Sequence, residues 1–300
     1  MIEENIDNFC GIPDEGLPEE GILKKSNYED SKVVIIPVPY EKTTTYIKGT
    51  SKGPEAIIDA SKNMELYDEE IDYVTAKIGI FTLNPIETEY PPEEMFKRIK
   101  EKCSEVLKDN KFPVIIGGEH SISFGFFLAL KEKYHDISVL QLDAHADLRD
   151  VYNNSKYNHA CVMRRIREFC DKTVQVGIRS LSFEESKFIK KNKCKIFLAK
   201  DIYKKINYEE ILNALGENVF ITIDVDVFDP SLIPSTGTPE PGGLGWYEVL
   251  GLLKEVAKNK NIVGFDVVEL CPNPENKSPD FLVAKLIYKL IGYKFINETT

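Results

Sequence analysis

The feature that most constrains this chain is a rhythm. Eight short apolar runs alternate with helical stretches from Lys32 to the C-terminus. The runs are Val33–Val38, Ile78–Leu83, Pro113–Ile116, Ser138–Leu142, Val174–Val176, Ile196–Leu198, Val219–Ile223 and Ile262–Val268. They read as strands buried on both faces, the signature of a parallel sheet. Helices are expected at Pro54–Glu65, Pro92–Lys108, Ser121–Lys133, His159–Cys170, Phe183–Lys191, Tyr208–Leu215, Trp246–Asn259 and Pro279–Ile291. The first begins with proline, favoured in an opening turn, and the third with a serine placed to cap it. Such alternation implies one α/β domain with helices on both faces of the sheet. No linker-like composition interrupts it, so residues 32–300 are expected to form a single domain. Residues 1–31, rich in acids, glycine and proline, read as an irregular arm, packed on a neighbouring subunit or left disordered.

Composition narrows the partners. The chain carries 38 Lys+Arg against 49 Asp+Glu, a formal net charge of −11. That sign disfavours nucleic acid and anionic membrane and suits a small cation. No apolar run is long enough for a membrane helix, and the acidic N-terminus is unlike a secretory signal. The six cysteines form no CxxC pair, as expected of reduced thiols in the cytoplasm.

Chemistry in an open α/β sheet collects beyond the carboxyl ends of its strands. Glu119 and His120 follow one run, Asp143, His145 and Asp147 another, Asp224 and Asp226 a third, and Glu269 a fourth. Histidine is scarce: of only four, two fall in this set and His159 follows closely. In extended chain, residues i and i+2 point the same way about 6.6 Å apart. Asp143 with His145, and Asp224 with Asp226, are therefore spaced to flank two ions about 3.5–4 Å apart. Four aspartates on one rim repel one another, and two divalent cations cancel that charge. The oxygen-rich set suits Mn²⁺ better than Zn²⁺. Glu119 reads as structural, and His135, in a charged helix end, as a solvated surface residue.

These motifs resemble the ureohydrolase family, which includes arginases and agmatinases. The similarity rests on GGEHS (117–121), LDAHADLR (142–149), YNHACVMRRI (157–166), IDVDVFDPSLIPSTGTPEPGG (223–243) and FDVVELCP (265–272), with VPYEKTTTYIKGTSKGPEAI (38–57) as an opening strand, loop and helix. The resemblance implies a three-layer α/β/α fold on a mostly parallel eight-stranded sheet. It also implies two Mn²⁺ per chain and a homo-oligomer, trimeric or hexameric. His120, Asp143, Asp147 and Asp224 match the ligands of one metal. Asp143, His145, Asp224 and Asp226 match those of the other. Glu269 matches the acid that holds the guanidinium, His159 the histidine that moves protons, and Thr238 a threonine beside the reacting centre. Asp147 also stands where it could relay a proton to the leaving amine.

The implied reaction is hydrolysis of a guanidino group to urea by a hydroxide bridging the ions. TGTPEPGG and the helix after His159 look more like the agmatinase branch. Agmatine giving putrescine and urea, a step of polyamine biosynthesis, is the expected chemistry. Tyr157 stands where arginases carry an asparagine that binds the amino-acid end, although Arg149 is close enough in sequence to meet a carboxylate. Arginase, guanidinobutyrase, formimidoylglutamase and a non-catalytic polyamine-binding homologue stay open. A one-zinc deacetylase-like site is disfavoured by the third acid, Asp147.

Overall fold

The computed structural model describes residues 7–17 and 23–299. Ten strands and nine α-helices follow in chain order among them. The strands are β1 (Val33–Val38), β2 (Tyr67–Asp68), β3 (Tyr73–Val74), β4 (Ile80–Thr82), β5 (Phe112–Gly117), β6 (Ile137–Leu142), β7 (Thr173–Ile178), β8 (Lys195–Leu198), β9 (Asn218–Asp224) and β10 (Asn261–Val268). The helices are α1 (Gly53–Ser61), α2 (Pro92–Lys108), α3 (Ser123–Lys133), α4 (Val162–Arg167), α5 (Phe183–Asn192), α6 (Ala199–Ile202), α7 (Tyr208–Ala214), α8 (Trp246–Asn259) and α9 (Ser278–Thr299).

All eight expected strands pair, in the order β4-β1-β5-β10-β9-β6-β7-β8, and every pairing in this sheet is parallel. Strand side chains alternate between two cores. Val33 and Ile35 enter one with Ile57, Val249, Leu253 and Ile287; Val34 and Ile36 enter the other with Ile99, Phe127 and Ile166. The three-layer α/β/α expectation is met. In sequence the chain leaves β5 for β6; in space β10 and β9 lie between them. The four strands whose ends carry the acids and histidines, β5, β10, β9 and β6, are thus neighbours at the middle of the sheet.

The differences from expectation are local. The helix expected from Ser121 starts at Ser123, after a 3-10 turn over His120–Ile122, and Ser121 donates its hydroxyl to Glu119 instead of capping. The helix expected from His159 also opens as a 3-10 turn (His159–Cys161), with the Asn158 side chain accepting from Ala160 N–H at 3.0 Å. The last helix, expected to end at Ile291, runs on through Gly292 to Thr299. A Cβ at that glycine would sit 2.7 Å from Thr75 Oγ1, so close packing, not termination, is its reason. Phe9, Cys10, Ile12 and Leu23, from the segment expected as an arm, are buried in this chain's own core. Residues 1–6 and 18–22 of that segment lie outside the described residues. Among the described residues, no helix is long and apolar enough to cross a membrane.

Candidate metal centre

The metal-centre residues follow strand ends, and hydrogen bonds from main chain and side chains aim most of them. His120 opens the turn after β5. Its Nε2 lies 2.9 Å from Thr222 Oγ1, and the Thr222 hydroxyl donates to Asp266 Oδ1 at 2.6 Å. That hydroxyl has one proton, spent on Asp266, so it accepts from Nε2–H. The His120 nitrogen left for the site is Nδ1. It has no hydrogen-bond partner, yet lies 3.1 Å from Asp143 Oδ2, 3.1 Å from Asp147 Oδ2 and 3.4 Å from Asp224 Oδ2.

Three of the four aspartates are aimed by main-chain donors. Asp143 Oδ1 accepts from His145 N–H at 2.5 Å, Asp224 Oδ1 from Asp226 N–H at 2.9 Å, and Asp226 Oδ1 from Ala144 N–H at 2.9 Å. Asp143 Oδ2 also accepts from Gln141 Nε2 at 2.6 Å. Asp226 Oδ2 meets His145 Nδ1 at 2.8 Å. Ligating atoms of His120, Asp143 and Asp147 fall within 4.8 Å of one another, and so do those of Asp143, His145 and Asp226. Asp143 belongs to both groups, as a shared ligand of two ions would.

The electrostatics show what this costs. Burial pushes Asp143, Asp224 and Glu269 well above the usual carboxylate range, and neighbouring acids push further: Asp147 and Asp226 on Asp143, Asp226 and Asp143 on Asp224, Asp224 and Glu119 on Glu269. Burial opposes charge on His145, but Asp226, Asp143 and Asp147 outweigh it and hold the imidazole up to about 11. Burial likewise opposes charge on Asp226, yet His145 brings that carboxyl below its usual range. A buried imidazole nitrogen facing three carboxylates, all oxygen and nitrogen donors, fits a divalent cation at their centre.

Two site residues hold backbone conformations that side chains resist. Asp147 has φ 52° and Glu269 φ 66°. Such strain costs of order 1–3 kcal/mol and persists where the surroundings over-determine it. At Glu269 they do: its N–H donates to Gly118 O at 2.7 Å and its Oε1 accepts from His120 N–H at 2.7 Å. The carboxylate is thereby turned to the floor of a cleft of about 280 Å³, which His159 and Thr238 also line. His135 is exposed and away from the cleft.

Sequence reading missed Thr222, Asp266, Gln141, Arg179 and Thr43. Three of them carried a signal: Gln141, Thr222 and Asp266 are lone polar residues inside apolar runs, two or three positions before a site residue. Arg179 donates to the carbonyls of Asp226 (2.6 Å) and Glu240 (2.8 Å), tying two loops together, and nothing local foretells it.

The chain matches the Arginase family over residues 31–292. An N(1)-aminopropylagmatine ureohydrolase of Synechocystis is 39% identical over 294 residues, 95% of each chain. An agmatinase of Pyrococcus horikoshii is 36% identical over 272 residues, 90% of this chain and 94% of that one. The crystal structure of the agmatine ureohydrolase of Thermoplasma volcanium superimposes with a TM-score of 0.84 at 32% identity, covering 91% of this chain and 93% of that one. The chain belongs to the arginase family. Within it, the protein is an agmatinase-like ureohydrolase.

Proposed function

We propose that this enzyme cleaves the guanidino group of a linear cationic alkylguanidine, agmatine or its N(1)-aminopropyl derivative, to urea and the corresponding amine. The observation that carries it is the convergence of His120 Nδ1 with three carboxylates beside a buried, backbone-locked Glu269. His120, Asp143, Asp147 and Asp224 would hold one ion and Asp143, His145, Asp224 and Asp226 the other, with Mn²⁺ suited to so oxygen-rich a set. The chemistry such ions would supply there is activation of water as a nucleophile at neutral pH.

The chain's own residues do the rest. Glu269 accepts the guanidinium's N–H groups and fixes its carbon over the site. Thr238, on the cleft wall, holds the same group from the side. His159 takes up at the cleft a proton released by the attacking water and relayed by Asp147, and passes it to the alkyl nitrogen as the C–N bond breaks. The balance is one guanidinium plus one water to urea plus one alkylammonium.

The relatives widen the expectation of agmatine to a longer polyamine. An α-amino acid is disfavoured. Tyr157, at the position arginases use for the amino-acid end, stacks on Phe124 and Phe96 with ring centroids 6.0 and 4.8 Å away, outside the cleft. Arg149 does line the cleft, with its guanidinium 4.7 Å over the Tyr152 ring. Urea release from agmatine, N(1)-aminopropylagmatine, arginine and guanidinobutyrate, with and without added Mn²⁺, is the test. Turnover of the first two that depends on manganese is expected. Preference for arginine, or no urea from any guanidine, would defeat the reading. A homo-oligomeric, cytoplasmic enzyme completes the proposal, its trimer or hexamer to be weighed by light scattering.

A further inference from the structure

His159 is held from behind by a hydroxyl with a carboxylate behind it in turn. Thr43 Oγ1 lies 2.6 Å from Glu119 Oε1, 3.2 Å from His159 Nδ1 and 3.0 Å from His159 N. The buried Glu119 also accepts from Lys42 N–H at 2.7 Å, from Thr43 N–H at 2.6 Å and from the Ser121 hydroxyl. Four donors converge on it, two of them main-chain N–H groups that can only donate. They fill the acceptor sites of an ionised carboxylate.

The arithmetic of Thr43 follows. A hydroxyl has one proton to give and two lone pairs. The proton goes to Glu119, the shortest of its contacts. One lone pair takes His159 main-chain N–H, and the other is left for Nδ1, so Nδ1 must carry the proton. The loop cannot easily turn Thr43 away, because Glu41 closes it from the other side: its carboxylate accepts from Gly49 N–H at 2.7 Å and from the Ser51 hydroxyl at 2.9 Å.

We propose that Thr43, oriented by Glu119, is a positioning residue that fixes His159 as its Nδ1–H tautomer and leaves Nε2 as the basic nitrogen serving the cleft. The inference rests on the role given to His159 in the reading above. The charged groups facing His159 are Asp147 and Glu119, which favour its protonation, and His120 and His145, which oppose it; the Tyr152 ring stands edge-on at 6.1 Å. Burial is the largest influence and brings the imidazole below its ordinary value, so it is neutral near pH 7.5 and has a tautomer to fix.

Neutron diffraction from crystals of the deuterium-exchanged protein at pH 7.5 reads that tautomer without any turnover. A deuteron on Nδ1 directed at Thr43 Oγ1, with the Thr43 deuteron toward Glu119, is expected; a deuteron on Nε2 over a bare Nδ1 overturns the proposal even if the enzyme releases urea. In the active enzyme, a double-mutant cycle gives the second reading. With agmatine as probe, Thr43→Val should lower kcat about 10²-fold, the lower end of what general acid–base catalysis supplies. Thr43→Ser, which keeps the hydroxyl, should stay within about 3-fold of wild type on the same scale. In a His159→Ala background, Thr43→Val should change kcat by less than about 2-fold, as expected when two residues act as one unit. An equal loss in both backgrounds, or no loss at all, refutes it. Thr43→Ala carries the same reading if the valine variant does not fold, and manganese content per chain shows that none of these acts through the metals.

Discussion

The molecule has two acidic clusters with fully buried carboxylates, and their charge is balanced in opposite ways. Behind the sheet, Asp68 in β2 is fully buried and meets Lys289 of α9, itself 4% exposed, at 2.8 Å. The same ammonium reaches Glu70 Oε2 at 3.3 Å, to which Tyr293 also donates, while Lys254 holds Glu70 Oε1 at 2.8 Å. Here the compensating cations are part of the polypeptide. At the strand ends, Asp143, Asp147, Asp224, Asp226 and Glu269 crowd together with imidazoles as the only basic side chains among them. Arg179 is near, but its guanidinium is spent on carbonyls. One cluster is complete when the chain folds. The other is one that a bound cation would complete.

The largest expected effect tests the second cluster. Asp226→Asn should weaken metal retention more than about 100-fold, beyond what losing a supporting partner costs, and abolish urea release. Metal analysis after dialysis checks this; full metal content would break the contrast. Stripping metal from the wild type should also lower its stability, by about 4 kcal/mol where free metal had stood at 1,000 times Kd. Lys289→Met should show the same metal-linked shift, and Asp226→Asn a smaller one.

Next comes the self-contained cluster. Lys289→Met leaves a buried aspartate unpaired and should cost about 3–5 kcal/mol in denaturant unfolding, with metal content unchanged. Adding Asp68→Leu should recover most of that loss, since apolar groups of similar volume often replace a buried pair without penalty. A smaller effect concerns acid. Burial alone would raise Glu70, but Lys254, Tyr293 and Lys289 outweigh it and bring it to about 2, below its ordinary 4.5. The unfolded chain therefore binds the proton first. The stabilisation is fully present above pH 4.5 and is lost as pH falls through about 2. Glu70→Gln should flatten acid unfolding in that window; an unchanged acid limb would show the network idle. Smallest of all, His135→Ala should shift stability by less than about 0.5 kcal/mol and leave activity alone, as befits an exposed residue.

Only the strand-end side of this contrast was legible in the order of residues. A strand of period two buried on both faces announces itself by composition, and whatever follows its carboxyl end lies on the ligand-binding rim. DxHxD and DxD, each after such a run, could therefore be assigned to one rim without coordinates. The 3-10 turns at His120 and His159 were not legible: at the first Ser121 gives its hydroxyl to Glu119 instead of capping, and at the second the Asn158 cap is joined by Thr43 Oγ1, 116 residues away, which accepts from His159 N–H. Nor was the run of the last helix past Ile291: Gly292 packs against Thr75, more than 200 residues away.

The sequence by itself determined the fold class and the inventory of the site, since both follow from short-range pattern: apolar runs, their spacing, and the rare histidines placed beside them. Tertiary structure alone decided the aim of each group. Which nitrogen of His120 faces the acids depends on Thr222 and Asp266. Which nitrogen of His159 serves the cleft depends on Thr43 and Glu119, 116 and 40 positions back along the chain. Hydrogen bonds between distant strands and loops carry that information, and a hydroxyl's single proton can be assigned only when all of its neighbours are known.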